Sequence, residues 1–424
     1  MNETAKIPQL SSLVCAVCGQ AYEPAPDAGA CPKCGGILEV TYDYDFIRRR
    51  LRRAVLAERR GGGMWRYREL LPVSGAAAEA MAAKGLAVGG SPLYESPRLA
   101  KALGLDRLWI KDDGVNPTAS LKDRASAMAV AKAREAGAKI IACSSTGNAA
   151  SSLAGNAAAA GMETYIFVPA RAPKGKVAQL LMFGARVISV EGTYEDTFRL
   201  SAQAIDRWGW YNRNAAINPY LSEGKKTVSY EIAEQLGWQI PDYVALSVGD
   251  GCTIAGVWKG FKDLYAAGLT DKLPRLISVQ AAGCCPVNRA IETGSEILEP
   301  MAEDTIADSI AVGVPRNFLK AVRAVKESGG FTVNVSDGEI LEAMALLGRT
   351  CGVFGEPAGV TGAAGVKKAA EAGLLPAGAT VVSIVTGNGL KDIATAISAA
   401  PAPIRVKPEL GRLIGEFAKT GGPQ

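Results

Sequence analysis

A lysine at the start of a predicted helix is suited to covalent chemistry. Lys122 follows a polar loop over residues 116–121 and opens a helix that we expect to continue through Ala131. The positive end of a helix dipole disfavours an ammonium group, so a neutral amine able to form a Schiff base is easier to reach there. Taken alone, a lysine in this position is more often a solvated surface charge.

A second polar loop lies between a predicted strand and a predicted helix. Ser144, Ser145 and Thr146 offer hydroxyl groups and successive backbone N–H groups that suit a carboxylate, and Asn148 is suited to hydrogen-bond a ring substituent. The same residues are typical of an ordinary helix N-cap, and alone they favour that interpretation.

A third loop is rich in glycine and also follows an apolar strand. It consists of Gly249, Asp250, Gly251, Cys252 and Thr253. The glycines permit close approach of a ligand to the backbone, and the N-terminus of the following helix suits a phosphate group. A glycine-rich turn by itself is weak evidence for a site.

Four cysteines near the N-terminus have the spacing of a metal site. Cys15 pairs with Cys18 and Cys31 with Cys34, and twelve residues separate the two pairs. Two such knuckles can close tetrahedrally on zinc. Because four protein ligands leave no open position, we expect a structural zinc ribbon over about residues 12–41; four unligated cysteines are the alternative.

The composition excludes several kinds of chemistry. The 424 residues contain no histidine, which removes imidazole bases, Ser-His-Asp triads and His-ligated catalytic metals. Proton chemistry must therefore come from other side chains or from a cofactor. The formal charge of +5 is small for this length, and no long basic block appears, so we expect no nucleic-acid partner.

Neither a signal peptide nor a membrane span is predicted. Residues 1–10 lack the basic start and long apolar run of a signal peptide, and no stretch approaches ~18 uninterrupted apolar residues. We expect a cytoplasmic protein without a membrane partner. In a reducing compartment the nine cysteines are not expected to form a disulfide framework.

Alternating apolar runs and alanine-rich segments predict an α/β architecture with parallel strands. We predict strands at 107–111, 139–143, 164–169, 186–190, 243–248, 276–279 and 380–385. We predict helices near 253–266, 338–349 and 390–399. The three polar loops follow strands, which is where α/β proteins place ligands.

Together the three loops resemble the fold-type II pyridoxal-phosphate-dependent enzymes, and most closely the threonine synthase family. In that family an Asn-Pro-Thr-Gly-Ser-Phe-Lys-Asp-Arg segment carries the Schiff-base lysine, and the matching segment 116–124 places it at Lys122. The resemblance covers the chain almost end to end. It includes the zinc-ribbon head of some members and the segments 65–67, 90–93, 224–227, 356–358 and 386–392.

The resemblance implies a role for each loop. Lys122 is expected to be the catalytic residue and to bind pyridoxal 5'-phosphate, with Asn148 at its 3'-oxygen and Thr386 at its pyridine nitrogen. The cofactor phosphate is expected at Gly249, Asp250, Gly251, Cys252 and Thr253, and the substrate at Ser144, Ser145, Thr146 and Lys225. A hydroxyl at Thr386 cannot keep the ring nitrogen protonated, which favours elimination and replacement over transamination.

Five positions depart from the family pattern. The family usually has other residues where Ala119, Leu121 and Ala125 stand, glycine at the first and third and phenylalanine at the second, and we interpret these as packing changes. Leu221 stands where typical threonine synthases have an arginine that binds the substrate phosphate, and Ala215 replaces an asparagine. The candidates to supply the missing charge are Lys111, Arg171, Lys174, Lys225 and Lys226. Each of them singly is more often a surface charge.

The resemblance predicts two α/β domains behind an N-terminal zinc ribbon. We expect the ribbon over residues 1–45, an arm over 46–90, a catalytic core over 91–400 and a C-terminal tail over 401–424. A smaller domain inserted at about 125–222 is expected to close over the cleft.

The predicted activity is threonine synthase, which converts O-phospho-L-homoserine and water to L-threonine and phosphate. The alternative is a related lyase or β-replacement enzyme, such as a serine/threonine dehydratase or cysteate synthase, which the loss of arginine at position 221 favours. A catalytically idle scaffold is disfavoured because Lys122, Asn148 and Thr386 are retained together. The expected partners are a small amino-acid substrate and a second copy of the chain in a homodimer.

Overall fold

The computed structural model describes residues 7–59, 61–172, 174–215 and 217–420. The side chain of Lys174, one of the candidate cations, lies outside that description. Among the described residues, no helix combines the length and the apolar character needed to cross a bilayer.

The strands alternate with helices after a short β-rich start. The strands are β1 Leu10–Cys15, β2 Ala21–Tyr22, β3 Leu38–Tyr42, β4 Leu93–Glu95, β5 Arg107–Asp112, β6 Ile140–Ser144, β7 Glu163–Pro169, β8 Arg186–Val190, β9 Tyr211–Asn212, β10 Tyr243–Ser247, β11 Arg275–Ala281, β12 Phe331–Val335 and β13 Thr380–Val385. All seven predicted strands are confirmed, with ends within two residues of the observed ones.

Most helices lie between consecutive strands and cover the sheets. The α-helices are α1 Tyr44–Arg50, α2 Arg53–Glu58, α3 Gly75–Lys84, α4 Pro97–Ala102, α5 Lys122–Glu135, α6 Asn148–Ala159, α7 Lys174–Met182, α8 Tyr194–Trp208, α9 Leu221–Lys225, α10 Thr227–Gln235, α11 Cys252–Ala266, α12 Pro286–Glu292, α13 Phe318–Glu327, α14 Asp337–Cys351, α15 Pro357–Glu371, α16 Ile393–Ala399 and α17 Leu410–Thr420. Short 3-10 helices cover Gly63–Leu70, Asp113–Val115, Asp308–Ile310 and Gly389–Asp392.

Three separate sheets organise the chain. The first is antiparallel, in the order β2-β1-β3. The second has the order β12-β11-β10-β13-β5-β4 and is parallel except for β4 at its edge. The third is parallel, in the order β8-β7-β6-β9. The chain therefore has the α/β fold that the sequence predicted.

Burial explains why the central strands were readable from the sequence. Every residue of β10 is buried, as are the last five residues of β13. Parallel strands covered by helices on both faces become continuous apolar runs, which are the pattern used to predict them. The carboxyl ends of both parallel sheets face one cavity, so the fold brings the polar loops together.

Candidate functional site

A cavity of about 630 Å³ opens at the carboxyl ends of strands from both parallel sheets. The lining includes all twelve residues that the sequence nominated for catalysis, cofactor or substrate: Lys122, Ser144, Ser145, Thr146, Asn148, Lys225, Gly249, Asp250, Gly251, Cys252, Thr253 and Thr386. Residues more than 260 positions apart in the sequence thus share one site.

Lys122 is the first residue of α5 and lies on the cavity wall. The preceding loop is fixed to the end of β13, because Leu121 N donates to Thr386 O at 2.9 Å and Ser120 bridges Gly387. Burial, together with the neighbouring Lys225 ammonium, lowers the pKa of Lys122 to about 8. A neutral amine is therefore reached near physiological pH, as covalent attachment of a carbonyl compound requires.

The departure at Ala119 concerns the backbone rather than packing. Ala119 has φ of 66°, the left-handed region that glycine adopts without strain and alanine does not. Its carbonyl oxygen accepts a 3.1 Å hydrogen bond from Asn388 N, which holds the residue in this conformation. The family's glycine at this position matches the conformation that the loop before Lys122 requires.

Two polar atoms beside the second loop have no hydrogen-bond partner among the described residues. Ser144 N donates to Asn214 Oδ1 at 2.9 Å, while Ser144 Oγ and Asn214 Nδ2 are buried without any hydrogen bond. Both residues line the cavity near the N-terminus of α6. Buried polar atoms without partners are costly in a finished fold, so these two are suited to a ligand.

Asn148 is oriented by a residue from the other side of the cavity. Its Nδ2 donates a 2.6 Å hydrogen bond to Glu356 Oε1. Burial raises the pKa of Glu356 to about 7, so this carboxyl group changes charge close to physiological pH. Glu356 belongs to the segment 356–358 that resembles the family, but no role was predicted for it from the sequence.

The glycine-rich loop cannot accept side chains at its two outer glycines. A Cβ on Gly249 would lie 2.8 Å from Ile310 Cα, and Gly251 has φ of 87°. The Asp250 carboxylate accepts hydrogen bonds from Arg316 N at 2.8 Å and from Asn317 Nδ2 at 2.6 Å, and these bonds stabilise the conformation of the loop. The N-terminus of the fifteen-residue helix α11 follows directly and suits an anion.

Two of the five candidate cations form ion pairs outside the cavity. Lys111 pairs with Glu231 at 2.7 Å, Lys226 pairs with Asp263 at 2.5 Å, and Arg171 is exposed at the cavity wall. Lys225 lines the cavity, is 4% exposed and has no carboxylate within ion-pair distance among the described residues. Of the five candidates, Lys225 is therefore the one that the geometry favours for supplying the missing positive charge.

Leu221 does not lie in the cavity wall. It is 1% exposed and packs in the hydrophobic core, whereas Ala215 lines the cavity. Arg213, which was not predicted from the sequence, lines the cavity two residues before Ala215 and is 3% exposed. The local signal for it was a charged residue shortly after the aromatic-rich run 208–211, with Asn212 between them.

The four N-terminal cysteines form a compact cluster. The Sγ atoms of Cys15 and Cys34 are 3.5 Å apart, those of Cys18 and Cys31 are 3.8 Å apart, and all four lie within 4.8 Å of one another. Sulfur atoms on a tetrahedral zinc ion, bound at about 2.3 Å, are separated by about 3.8 Å. The cluster is therefore suited to a metal ion and lies apart from the cavity.

Comparisons with known proteins agree with the geometry of this site. Residues 85–387 match the family model for "Pyridoxal-phosphate dependent enzyme". The chain is 38% identical to a threonine synthase of Methanocaldococcus jannaschii, over 94% of this chain and 97% of that protein. It is also 38% identical to a threonine synthase of Methanosarcina acetivorans, over 92% of this chain and 95% of that protein. The chain belongs to the threonine synthase family of pyridoxal-phosphate-dependent enzymes.

Solved structures of other enzymes in this larger group share the fold. A processed threonine deaminase from Solanum lycopersicum superposes with a TM-score of 0.64 at 22% identity, covering 73% of this chain and 87% of that one. Maize serine racemase gives a TM-score of 0.62 at 22% identity, covering 81% and 95% of the two chains. At this level of identity the similarity concerns the fold alone.

Proposed function

We propose that this protein is a threonine synthase, which converts O-phospho-L-homoserine and water to L-threonine and phosphate. The observation that carries the proposal is the position of Lys122. Its amine, with a pKa of about 8, opens a helix inside a cavity where the other two polar loops converge. The resemblance to threonine synthases over more than nine-tenths of the chain supports the choice of reaction.

The residues in the cavity fit pyridoxal 5'-phosphate. Lys122 would hold the cofactor covalently, and the backbone at the N-terminus of α11 would hold its phosphate, where glycines leave room for no side chain. Asn148 would contact the 3'-oxygen, and the Thr386 hydroxyl at the end of β13 would contact the pyridine nitrogen. When bound, the cofactor supplies an electron sink for a carbanion at the α carbon of the substrate.

Lys122 is also the residue best placed to move protons. In this proposal its Nζ takes the proton from the substrate α carbon and later returns one there, since no histidine exists to do so. Ser144 Oγ and Asn214 Nδ2, which have no protein partner, would bind the substrate carboxylate together with the N-terminus of α6. The β carbon loses a proton as phosphate leaves the γ carbon, the γ carbon takes up a proton, and water then adds its hydroxyl at the β carbon. The second proton of water balances the released phosphate.

We propose a structural role for zinc in the N-terminal sheet. Cys15, Cys18, Cys31 and Cys34 would hold one ion with no open position. The sheet is tied to the catalytic part by Tyr42, whose hydroxyl donates to Glu223 at 2.5 Å, and by Lys320, which pairs with Glu39 at 3.2 Å. These contacts give the ribbon a role in stability.

We also propose a homodimer in the cytoplasm. Leu390, Ile393 and Ile397 are spaced along one helical face and are each more than half exposed, which supports an apolar contact with a second copy. A four-thiolate metal site requires reduced cysteines, as the cytoplasm provides. Sedimentation of the purified holoenzyme at several concentrations measures the oligomeric state directly.

A product assay tests the proposed reaction. The holoenzyme is incubated with O-phosphohomoserine, and separately with serine, threonine and phosphoserine, while phosphate and amino-acid products are measured. Threonine and phosphate formed in equal amounts from phosphohomoserine support the proposal. Turnover of serine, threonine or phosphoserine in preference to phosphohomoserine would instead support the dehydratase or cysteate synthase alternative.

Mutation of Lys122 tests its assignment. Lys122→Ala should abolish both the yellow absorbance of the bound cofactor and turnover, because among the lysines whose side chains the structure describes no other lies at the start of a helix facing the cavity. Lys272→Ala, at an exposed ion pair outside the cavity, is the matched control and should keep both properties. A Lys122→Ala protein that still carries a borohydride-reducible cofactor link would refute the assignment.

A further inference from the structure

Buried cations fall into two groups in the described part of the chain. Seven lysine or arginine side chains there are buried, and five of them have a carboxylate partner: Lys111, Arg124, Lys132, Lys226 and Lys320. The other two, Arg213 and Lys225, have no carboxylate partner among the described residues. Both of these line the same cavity.

Arg213 has little that would compensate its charge. Its Nε and Nη2 atoms donate to a single neutral acceptor, Ser126 Oγ, at 3.2 and 3.1 Å. Its other favourable neighbours are the thiols of Cys143 and Cys252 and the Asp123 carboxylate, which lies beyond ion-pair distance, and burial outweighs them to hold the pKa of Arg213 below its usual range. A buried charge without a partner destabilises a fold, so it is retained only where a ligand supplies the opposite charge.

Lys225, the last residue of α9, is likewise a buried cation without a carboxylate partner among the described residues. Burial opposes ionisation of Cys252, but the Lys225 ammonium together with side-chain hydrogen bonds from Ser222 and Lys225 holds the pKa of the Cys252 thiol below its usual value. Lys225 and Arg213 both also disfavour the ammonium form of Lys122. The two cations therefore converge on the region around the reactive amine.

Arg213 comes from the opposite sheet to the loop suited to the cofactor phosphate, although the Cys252 thiol of that loop is close enough to affect its pKa. It directly follows β9 on the third sheet, beside Asn214, and it lines the cavity together with Ser144, whose Oγ has no hydrogen bond among the described residues. The glycine-rich loop lies at the end of β10 on the second sheet. A substrate carboxylate carries one negative charge, whereas a phosphate monoester carries close to two, which matches two cations.

We infer that Arg213, together with Lys225, binds the phosphate group of the substrate and sets the specificity for a phosphorylated amino acid. This rests on the proposed function, since it assigns the substrate contacts of the same site. The inference also accounts for Leu221, which stands where typical threonine synthases have a phosphate-binding arginine. Here Arg213, directly after β9, and Lys225, at the end of α9, would supply the positive charge instead. Leu221 itself packs in the core.

The test compares substrate affinity, phosphate binding and cofactor retention in the holoenzyme. The variants are Arg213→Met, Arg213→Lys and Lys225→Met. Arg186→Met is the control, because Arg186 is 62% exposed on β8, at the opposite edge of the third sheet from β9. Arg213→Met should raise KM for O-phosphohomoserine on the order of tenfold to a hundredfold, with a smaller effect on kcat. The dissociation constant of inorganic phosphate, followed through the cofactor absorbance, should rise in parallel.

A merely structural role gives different results. Removing a partnerless buried charge should leave the thermal midpoint of the protein unchanged or higher, whereas removing a structural arginine should lower it. Arg213→Lys keeps the charge and should retain part of the phosphate affinity, which also covers the case in which Arg213→Met fails to fold. The inference would be overturned if Arg213→Met lost its cofactor on dialysis but kept the wild-type KM when saturated with cofactor. It would also be overturned if Arg213→Met showed the wild-type KM and the wild-type affinity for phosphate.

The failure of this inference is distinguishable from failure of the proposed function. If the wild type turns over phosphohomoserine and Arg213→Met does so with unchanged KM, the inference is wrong and the function stands. If the wild type does not turn over phosphohomoserine but binds phosphate in a manner that depends on Arg213, the reaction is wrong and the anion site stands.

Discussion

Asn148 Nδ2, on the cavity wall, donates a 2.6 Å hydrogen bond to Glu356 Oε1, although 208 positions separate the two residues. Asn148 begins α6, which covers the third sheet, and Glu356 directly precedes α15, which packs on the second. The contact therefore joins the two sides of the site at the residue expected to touch the cofactor oxygen.

Substitution of Glu356 tests whether this contact positions Asn148. Glu356→Ala removes the acceptor and should weaken cofactor binding by about tenfold, the effect of leaving one buried amide without its partner. Glu356→Gln keeps an acceptor oxygen and should stay within a few-fold of the wild type. The measurement is a spectral titration of the apoenzyme with cofactor, and equal affinities of the two variants would contradict the positioning role.

The pKa of Lys122 predicts how cofactor uptake depends on pH. Because the folded-state pKa is about 8 instead of 10.5, the neutral amine fraction is one half near pH 8 and approaches saturation about one pH unit higher. The rate of uptake by apoenzyme should follow that curve. Lys225→Met removes a neighbouring positive charge, which raises the pKa of Lys122, so its plateau should move to higher pH. A wild-type rate that is still rising near pH 10 would contradict this account.

Ala119→Gly should stabilise the protein. A left-handed conformation costs alanine about 1–2 kcal/mol, while the extra freedom of glycine in the unfolded chain costs about 0.4–1 kcal/mol, so the net gain is about 1 kcal/mol. Thermal unfolding measures it. The matched control is Ala125→Gly in the interior of α5, which should lower the melting temperature, since glycine disfavours a helix by roughly 1 kcal/mol.

Metal analysis and mutation test the cysteine cluster. Purified protein should contain about one zinc ion per chain, and Cys31→Ser should reduce both the zinc content and the thermal midpoint while changing kcat much less. Cys285→Ser, outside the cluster, is the control and should keep the zinc. Protein purified without chelator that holds no metal would refute the zinc proposal.

The sequence predicted the elements whose signals are local. Strands β5 and β10 are apolar runs, and the loops after them carry the glycine, serine and asparagine residues that mark ligand sites. Strands β9 and β12 were missed because β9 has only two residues and β12 is half-buried at the sheet edge. Their existence depends on partners distant in the sequence, which no local pattern records.

The same distinction applies to the site. Lys122 was predictable because the start of its helix and its polar loop are contiguous in the chain. Arg213 was not, because its burial arises only when β9 pairs with β6 through Tyr211 and Ile141. The absence of a carboxylate partner, which is what distinguishes Arg213 from Arg124, is likewise a property of the folded protein.

The most direct test of the proposed reaction follows the oxygen atom of water. The holoenzyme is supplied with O-phosphohomoserine in water labelled with heavy oxygen, and the products are analysed by mass spectrometry. Threonine synthase chemistry breaks the carbon–oxygen bond at the γ carbon and adds water at the β carbon, so the label should appear in the threonine hydroxyl and not in the phosphate. Labelled phosphate together with unlabelled homoserine would show hydrolysis at phosphorus and would contradict the account.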